Sequence, residues 1–345
     1  MLLVFFLTVG FCMLILVTRD HHAQFTSDGY DGPQKVHQRQ VPRIGGLALI
    51  ASLLTATFLQ DKGNFSLQYL ILICVMPVFL TGFVEDLTKN VSPLLRLIAA
   101  VLTGVFFLWM TDFRISRTNI EFLDQLLDFA PIAAGLSLLS IAALINGINL
   151  IDGLNGLSLG TASFICAATA YIAAVYGAEE LAHISLLMLA AFAGMYLFNF
   201  PAGHIFIGDG GAYLIGAVLS FLMIALPYTL AAVSPFTSLL LIFYPLYELL
   251  RTIARRVGTG KFVMQPDNTH LHSLLFRAFQ AKGFGGEKYA NAFSSMCALS
   301  IAAVNCLWGV SFHGHTLSLV IGLIVSILHY ELIYLWARKA IRQQG

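Results

Sequence analysis

The run Gly210-Gly-Ala-Tyr-Leu-Ile-Gly-Ala-Val-Leu-Ser-Phe-Leu-Met-Ile-Ala-Leu-Pro-Tyr-Thr-Leu230 contains no Lys, Arg, Asp or Glu. About 20 such residues in a helix cross the ~30 Å hydrocarbon core of a bilayer, so the stretch predicts a membrane span. Ten further charge-poor runs of similar length lie near 1–18, 44–60, 66–84, 94–111, 131–147, 157–176, 181–199, 235–254, 291–311 and 315–337. The first lacks a basic leader and a small-residue cleavage site, so it is read as a helix and not as a signal peptide. Across the 345 residues 58% are hydrophobic and 11% charged, against roughly 25% charged in a soluble domain. The expectation is an all-α integral membrane protein of about eleven transmembrane helices, a single polytopic domain over 1–345 without an internal repeat. A net charge of +1 argues against nucleic-acid binding. The five cysteines (Cys12, Cys74, Cys166, Cys297, Cys306) sit in apolar runs without metal-ligand spacing and read as core residues.

Lys and Arg set the orientation, because short loops rich in them stay cytoplasmic. Segments after odd-numbered spans, with the C-terminal tail, hold 16 of the 19 basic residues; only Lys62, Arg114 and Arg117 fall on the other side. That places the N-terminus outside and the C-terminus in the cytoplasm. The stretch Ile120 to Phe129 alternates apolar and acidic residues and is expected to lie along the outer interface.

Five polar segments then share the cytoplasmic side, near 19–43, 84–96, 146–157, 199–211 and 255–290. The first contains Lys35-Val-His-Gln-Arg-Gln-Val-Pro-Arg-Ile-Gly-Gly46, by itself readable as an ordinary basic loop. The second is Gly82-Phe-Val-Glu85-Asp86-Leu-Thr-Lys89, with Arg96 beyond it; adjacent carboxylates at an apolar helix end need a cation, a metal or water to compensate them. In the third, Asn146, Asn149 and Asp152 recur every three residues, with Asn155 beyond them and Gly153 and Gly156 allowing close backbone approach. The fourth runs from Asn199 through Pro201 and His204 to Asp209 and Gly211 at the start of a span. A glycine-rich turn there offers N–H groups to phosphate, and its acid can hold the Mg²⁺ that phosphates bring. The fifth joins Arg251, Arg255, Arg256 and Lys261 to His270, His272 and Arg277, a set suited to an anionic, hydrogen-bonding ligand such as a nucleotide-sugar. Carboxylates for Mg²⁺ and cations for a diphosphate, at a membrane surface, predict phosphoryl transfer.

In order and sidedness these segments resemble the polyprenyl-phosphate N-acetylhexosamine-1-phosphate transferases, over nearly the whole chain, from Pro42–Gly46 to the His270/His272 loop. The likeness is greatest to the bacterial glycosyltransferase-4-type enzymes that start O-antigen or related surface polysaccharides. The resemblance implies a polyprenyl phosphate acceptor, with undecaprenyl phosphate the expected lipid, and a UDP-N-acetylhexosamine donor; UMP leaves. It implies a bacterial inner membrane location, an active site on the cytoplasmic face, Mg²⁺ with Mn²⁺ as the alternative ion, and room for a homodimer. It assigns Asp209 to the metal and Glu85, Asp86 and Asp152 to catalysis. Lys89, Arg96, Asn149, Asn155, Asn199, His270, His272 and Arg277 then bind substrates. Three positions depart from the family pattern: Glu85 replaces an Asp, Asn155 stands where many members carry a second Asp, and Ser273 where some have a His. The rival class is a transporter or flippase for anionic or lipid-linked sugars; those usually bind near the midplane between repeated halves, and here the acids gather at helix ends.

Overall fold

The computed structural model describes residues 1–26, 41–61, 66–259, 269–283 and 286–343. The chain runs through α1 (Leu2–Val17), α2 (Arg19–Thr26), α3 (Gly45–Asp61), α4 (Leu67–Cys74), α5 (Met76–Thr88), α6 (Pro93–Thr111), α7 (Glu121–Leu127) and α8 (Ala130–Ile151). It continues through α9 (Leu157–Val175), α10 (Glu179–Asn199), α11 (Gly208–Thr229), α12 (Pro235–Leu241), α13 (Phe243–Thr259), α14 (Leu271–Ala281), α15 (Glu287–Phe312) and α16 (Thr316–Arg342).

Local chemistry sets the boundaries. Ser66, Ser92 and Ser234 cap α4, α6 and α12, each hydroxyl accepting a first-turn N–H, and Pro93 and Pro235 occupy first turns where a missing N–H costs nothing. Pro77 and Pro245 cannot donate to the carbonyls of Ile73 and Leu241, and there the chain bends, by 43° between α4 and α5 and by 75° between α12 and α13.

Among the described residues seven helices are long and apolar enough to cross a membrane, or up to ten if each bent pair is one span; Gly45–Leu59 is a shorter apolar helix. The sequence counted each of these alike as a full span, because hydropathy does not see where a helix breaks. Burial orders the layers: 94% of the apolar stretch of α11 is buried, against 22% for α16 and 28% for α6. So α11 is the central helix, while Leu94, Leu97, Ile98, Leu328 and Leu332 face outward on the peripheral ones. Gly216 lets α11 lie against the backbone of α8, since a Cβ there would come 2.6 Å from Ile145 Cα. At the carbonyl end of α11, Arg117 donates to Pro227, Leu230 and Val233 oxygens at 3.0, 3.1 and 2.6 Å. The five cysteines are free, four buried and Cys297 partly so.

The expected loops are partly helical. Residues 19–26 form α2, and Glu85, Asp86, Asn146 and Asn149 lie within the last turns of α5 and α8. Helix satisfies backbone groups that an apolar setting would otherwise leave unpaired. Lys35, Arg39, Lys62, Lys261 and the stretch 265–268 lie outside the described residues. The expected interfacial stretch forms the short helix α7.

Candidate active site

The N-terminus of α11 is built from four segments. Backbone bonds from Gly45 N–H to Phe206 O (2.9 Å), Gly46 N–H to Ile207 O (2.8 Å) and Phe206 N–H to Pro42 O (2.9 Å) lay residues 42–46 alongside 206–207. Glycines make the approach possible: a Cβ on Gly46 would overlap Gly211 N, and one on Gly82 would come 2.6 Å from Gly210 N. Gly208 takes φ +72° with its α-carbon against Arg43 O and the Asp86 carboxylate, a backbone and a space closed to other residues. Asp86 is buried at the end of α5. Its Oδ1 accepts Asp209 N–H at 2.7 Å and its Oδ2 accepts Gly210 N–H at 2.9 Å.

The side chain of Asp209 then points where three others converge. Arg43 Nη2 lies 3.5 Å from Oδ1, Asn149 Nδ2 3.4 Å from Oδ1 and Arg96 Nη1 3.4 Å from Oδ2. All three contacts exceed the roughly 2.7–2.9 Å of a tight charge-assisted bond, so the carboxylate is surrounded without being locked. Arg96 is held from behind: its Nη2 donates to Glu85 Oε1 at 2.5 Å and its Nε to Val91 O at 3.2 Å. Glu85 Oε2 accepts Val91 N–H at 2.8 Å, tying the acid to the turn after α5.

Between α8 and α9, Asp152 leaves helical geometry and its Oδ1 accepts the Ser158 hydroxyl at 2.5 Å. Burial pushes its carboxyl up to about 7, against the opposing pull of the Ser158 bond and the Arg43 charge. Asn155 and Asn199 stabilise this turn. Asn155 N–H donates to Asn291 Oδ1 (3.1 Å) and its amide to Pro201 O (3.1 Å), while Asn199 Oδ1 accepts Gly156 N–H (2.6 Å) and its amide donates to Ile205 O (2.9 Å). Three of the four polar groups of these two side chains, and the Asn155 N–H, are thus engaged by the scaffold.

His270 caps α14 and His272 sits in its first turn, their rings parallel at 5.6 Å. His272 packs on the turn after Asp152 so closely that a Cβ on Gly153 would overlap its Nε2. Its Nδ1 is buried without a hydrogen-bond partner among the described residues, and burial lowers its pKa to about 4, leaving a neutral ring. Behind the pair stands Glu248 of α13, which sequence reading did not single out.

Of the expected site residues, the fold therefore gathers Glu85, Asp86, Arg96, Asn149 and Asp209 into one contact network and brings His272 against the Asp152–Gly153 turn. Asn146 does not join them: its amide returns to Ala142 O at 2.7 Å in its own helix. Lys89, in the left-handed position after α5, and Arg277, on the outer side of α14, are exposed. Arg43, Ser158, Glu248, Asn291 and Tyr330 were not chosen as site residues. Arg43 stood inside a quoted motif; for the others only helix register, invisible in one sequence, places them. Among the described residues no three His, Cys, Asp or Glu side chains form a metal cage. Asp209, whose carboxylate meets Asn149 Nδ2 and the two guanidinium groups only at 3.4–3.5 Å, keeps oxygen acceptor capacity for a further ligand.

Such an arrangement, acids and arginines around the N-terminus of a buried helix, has the chemistry that suits phosphate groups. The sequence pattern of glycosyl transferase family 4 matches residues 68–227. It spans Glu85, Asp86, Asn149, Asp152 and Asp209, and the His pair lies beyond it. The chain is 26% identical over 246 residues to the probable undecaprenyl-phosphate N-acetylglucosaminyl 1-phosphate transferase of Bacillus subtilis, covering 70% of this chain and 67% of that one. It is 28% identical over 252 residues to the undecaprenyl-phosphate alpha-N-acetylglucosaminyl 1-phosphate transferase of Salmonella typhi (71% and 68%). It is also 27% identical over 301 residues to the phospho-N-acetylmuramoyl-pentapeptide-transferase of Chlorobium phaeobacteroides (76% and 78%).

Proposed function

We propose that the protein transfers N-acetylhexosamine 1-phosphate from a UDP-linked donor to a polyprenyl phosphate, undecaprenyl phosphate in the first instance, and releases UMP. The convergence of Arg43, Arg96 and Asn149 on Asp209 carries this reading. An oxygen of the lipid phosphate attacks the sugar-bearing phosphorus, a new P–O bond forms, and the bond to the UMP oxygen breaks. A phosphate is already a competent nucleophile, so the protein's task is positioning and charge neutralisation.

Asp209 would hold Mg²⁺ together with the donor diphosphate, a sparse oxygen set of the kind this ion takes beside substrate phosphates, with the Asn149 amide donating to Oδ1 next to it. Bound there, it offsets the charge that develops on the phosphoryl oxygens. Arg43 and Arg96, loosely engaged with Asp209, turn to the phosphates; planar guanidinium suits two oxygens at once. Glu85 keeps Arg96 extended toward the site, and Asp86 fixes the backbone from which Asp209 projects. Asp152 and the His pair line the donor side. In the membrane, eleven spans with the N-terminus outside put these helix ends at the cytoplasmic face of a bacterial inner membrane, where the soluble donor is made. The product would then begin a surface polysaccharide.

Purified protein mixed with undecaprenyl phosphate, Mg²⁺ and a panel of UDP-N-acetylhexosamines should release UMP with at least one donor. Chelator or Asp209→Asn should abolish release with folding retained. Full activity in excess chelator removes the metal from the mechanism, and no release with any donor overturns the function.

A further inference from the structure

Glu248 is a carboxylate with 1% side-chain exposure, midway along α13. A buried acid of this kind is costly unless each oxygen finds a donor. Its Oε1 accepts from His270 Nδ1 at 3.1 Å and from Leu271 N–H at 3.3 Å, and its Oε2 from the Tyr330 hydroxyl at 2.5 Å. Three elements thus meet on one carboxylate: α13, the cap of α14 and, through Tyr330, the last helix α16. Tyr330 is itself fixed, fully buried with its ring edge-on to Tyr247 at 4.8 Å. Tyr247 and Arg251 in turn bond Glu331 at 3.0 and 2.7 Å.

The consequence lies at the far side of the imidazole. A carboxylate can only accept, so of the two imidazole tautomers of His270 it selects the one with the proton on Nδ1, which leaves Nε2 with a lone pair. That Nε2 has no hydrogen-bond partner among the described residues. A carboxylate behind an imidazole sets its tautomer and aim, and its amide isostere loses that control even when the geometry survives.

We propose that Glu248, braced by Tyr330, is a positioning residue that presents His270 Nε2 as a hydrogen-bond acceptor for a hydroxyl or acetamido N–H of the donor's sugar. This rests on the transferase reading above. A phosphate oxygen has no proton to offer such an acceptor, so the His270 side of the site reads the sugar, leaving the diphosphate to the arginines around Asp209.

The test uses the full-length enzyme, with UDP-N-acetylglucosamine, or whichever UDP-N-acetylhexosamine gives UMP release, as donor and UDP as a competitive probe lacking the sugar. Glu248→Gln and His270→Gln should each raise the donor KM about tenfold or more. The inhibition constant of UDP and the KM of undecaprenyl phosphate should change less than about threefold. Adding Glu248→Gln to His270→Gln should then cost little more, because the first change already removed what the second controls. Tyr330→Phe, which keeps the ring, should reproduce part of the donor KM effect. A UDP inhibition constant rising in parallel with the donor KM would move His270 to the diphosphate and overturn the assignment. Additive losses in the double variant, or an unchanged donor KM in Glu248→Gln, would reduce Glu248 to packing. Parent enzyme inactive with every donor is a different result, since it strikes the transferase reading itself.

Discussion

Both oxygens of Asp86 receive backbone N–H groups of another helix, from Asp209 at 2.7 Å and Gly210 at 2.9 Å, so that the end of α5 caps the start of α11. The acid stands where the positive end of a buried helix dipole favours an anion. A residue read from sequence as one half of a catalytic acid pair thus commits one acceptor position of each oxygen to aiming Asp209.

Replacing it by an amide makes this visible. Asp86→Asn must turn an NH2 toward one of the two N–H groups, leaving that donor unpaired at about 1–3 kcal/mol. The expected outcome is a lower thermal midpoint in detergent together with at least a tenfold loss of kcat, since Asp209 loses its aim. Unchanged midpoint and kcat would show the cap to be unimportant.

Glu85 and Arg96 should behave as a unit. Glu85→Gln keeps the length and the Val91 bond but removes the charge facing Arg96; Arg96→Lys keeps a charge but cannot reach Glu85, Val91 and Asp209 together. Each single change should lower kcat/KM for the lipid acceptor by about tenfold or more, and the double variant should be markedly less impaired than the product of the two. Strict additivity in a double-mutant cycle argues that the pair does not cooperate.

Asp152 gives a pH signature. Its folded pKa is raised to about 7 by burial, from an ordinary value of 3.8. Between those values the unfolded chain has released a proton that the folded chain still holds, so folding is progressively disfavoured as pH climbs from about 4 to about 7. Asp152→Asn removes that slope. Thermal unfolding followed at several pH values from 5 to 8 should show a smaller decline in the variant than in the parent; parallel curves would contradict the burial argument.

Asn155→Ala and Asn199→Ala should cost stability more than recognition. Each truncation strands backbone groups of the 155–156 or 201–205 segments. A fall of several degrees in midpoint with a donor KM near the parent's is expected. A donor KM raised tenfold at unchanged midpoint would return these side chains to the substrate.

How far the sequence could be read divides along physical lines. Asp209, Asp152 and Glu85 stand out because a charge beside twenty apolar residues demands an explanation, and the helical class follows from those same runs. What Asp86 or Asn155 bonds to could not be read, since an acid that caps a helix from another segment and an acid that meets substrate have the same letters around them. Glu248 was passed over for a related reason: it lies inside a run scored as a span, and only the register of α13 against α14 and α16 turns it toward His270. The bends at Pro77 and Pro245 inside two of the runs were hidden in the same way, since they leave hydropathy untouched.

The most direct measurement follows the β-phosphorus. With purified enzyme, undecaprenyl phosphate, Mg²⁺ and UDP-N-acetylglucosamine labelled at the β-phosphate, the label should pass into an organic-extractable lipid while unlabelled UMP appears in equal amount. Label leaving in UDP while the sugar alone joins the lipid would mean cleavage at the sugar carbon, and would contradict phosphoryl transfer at the Asp209 site.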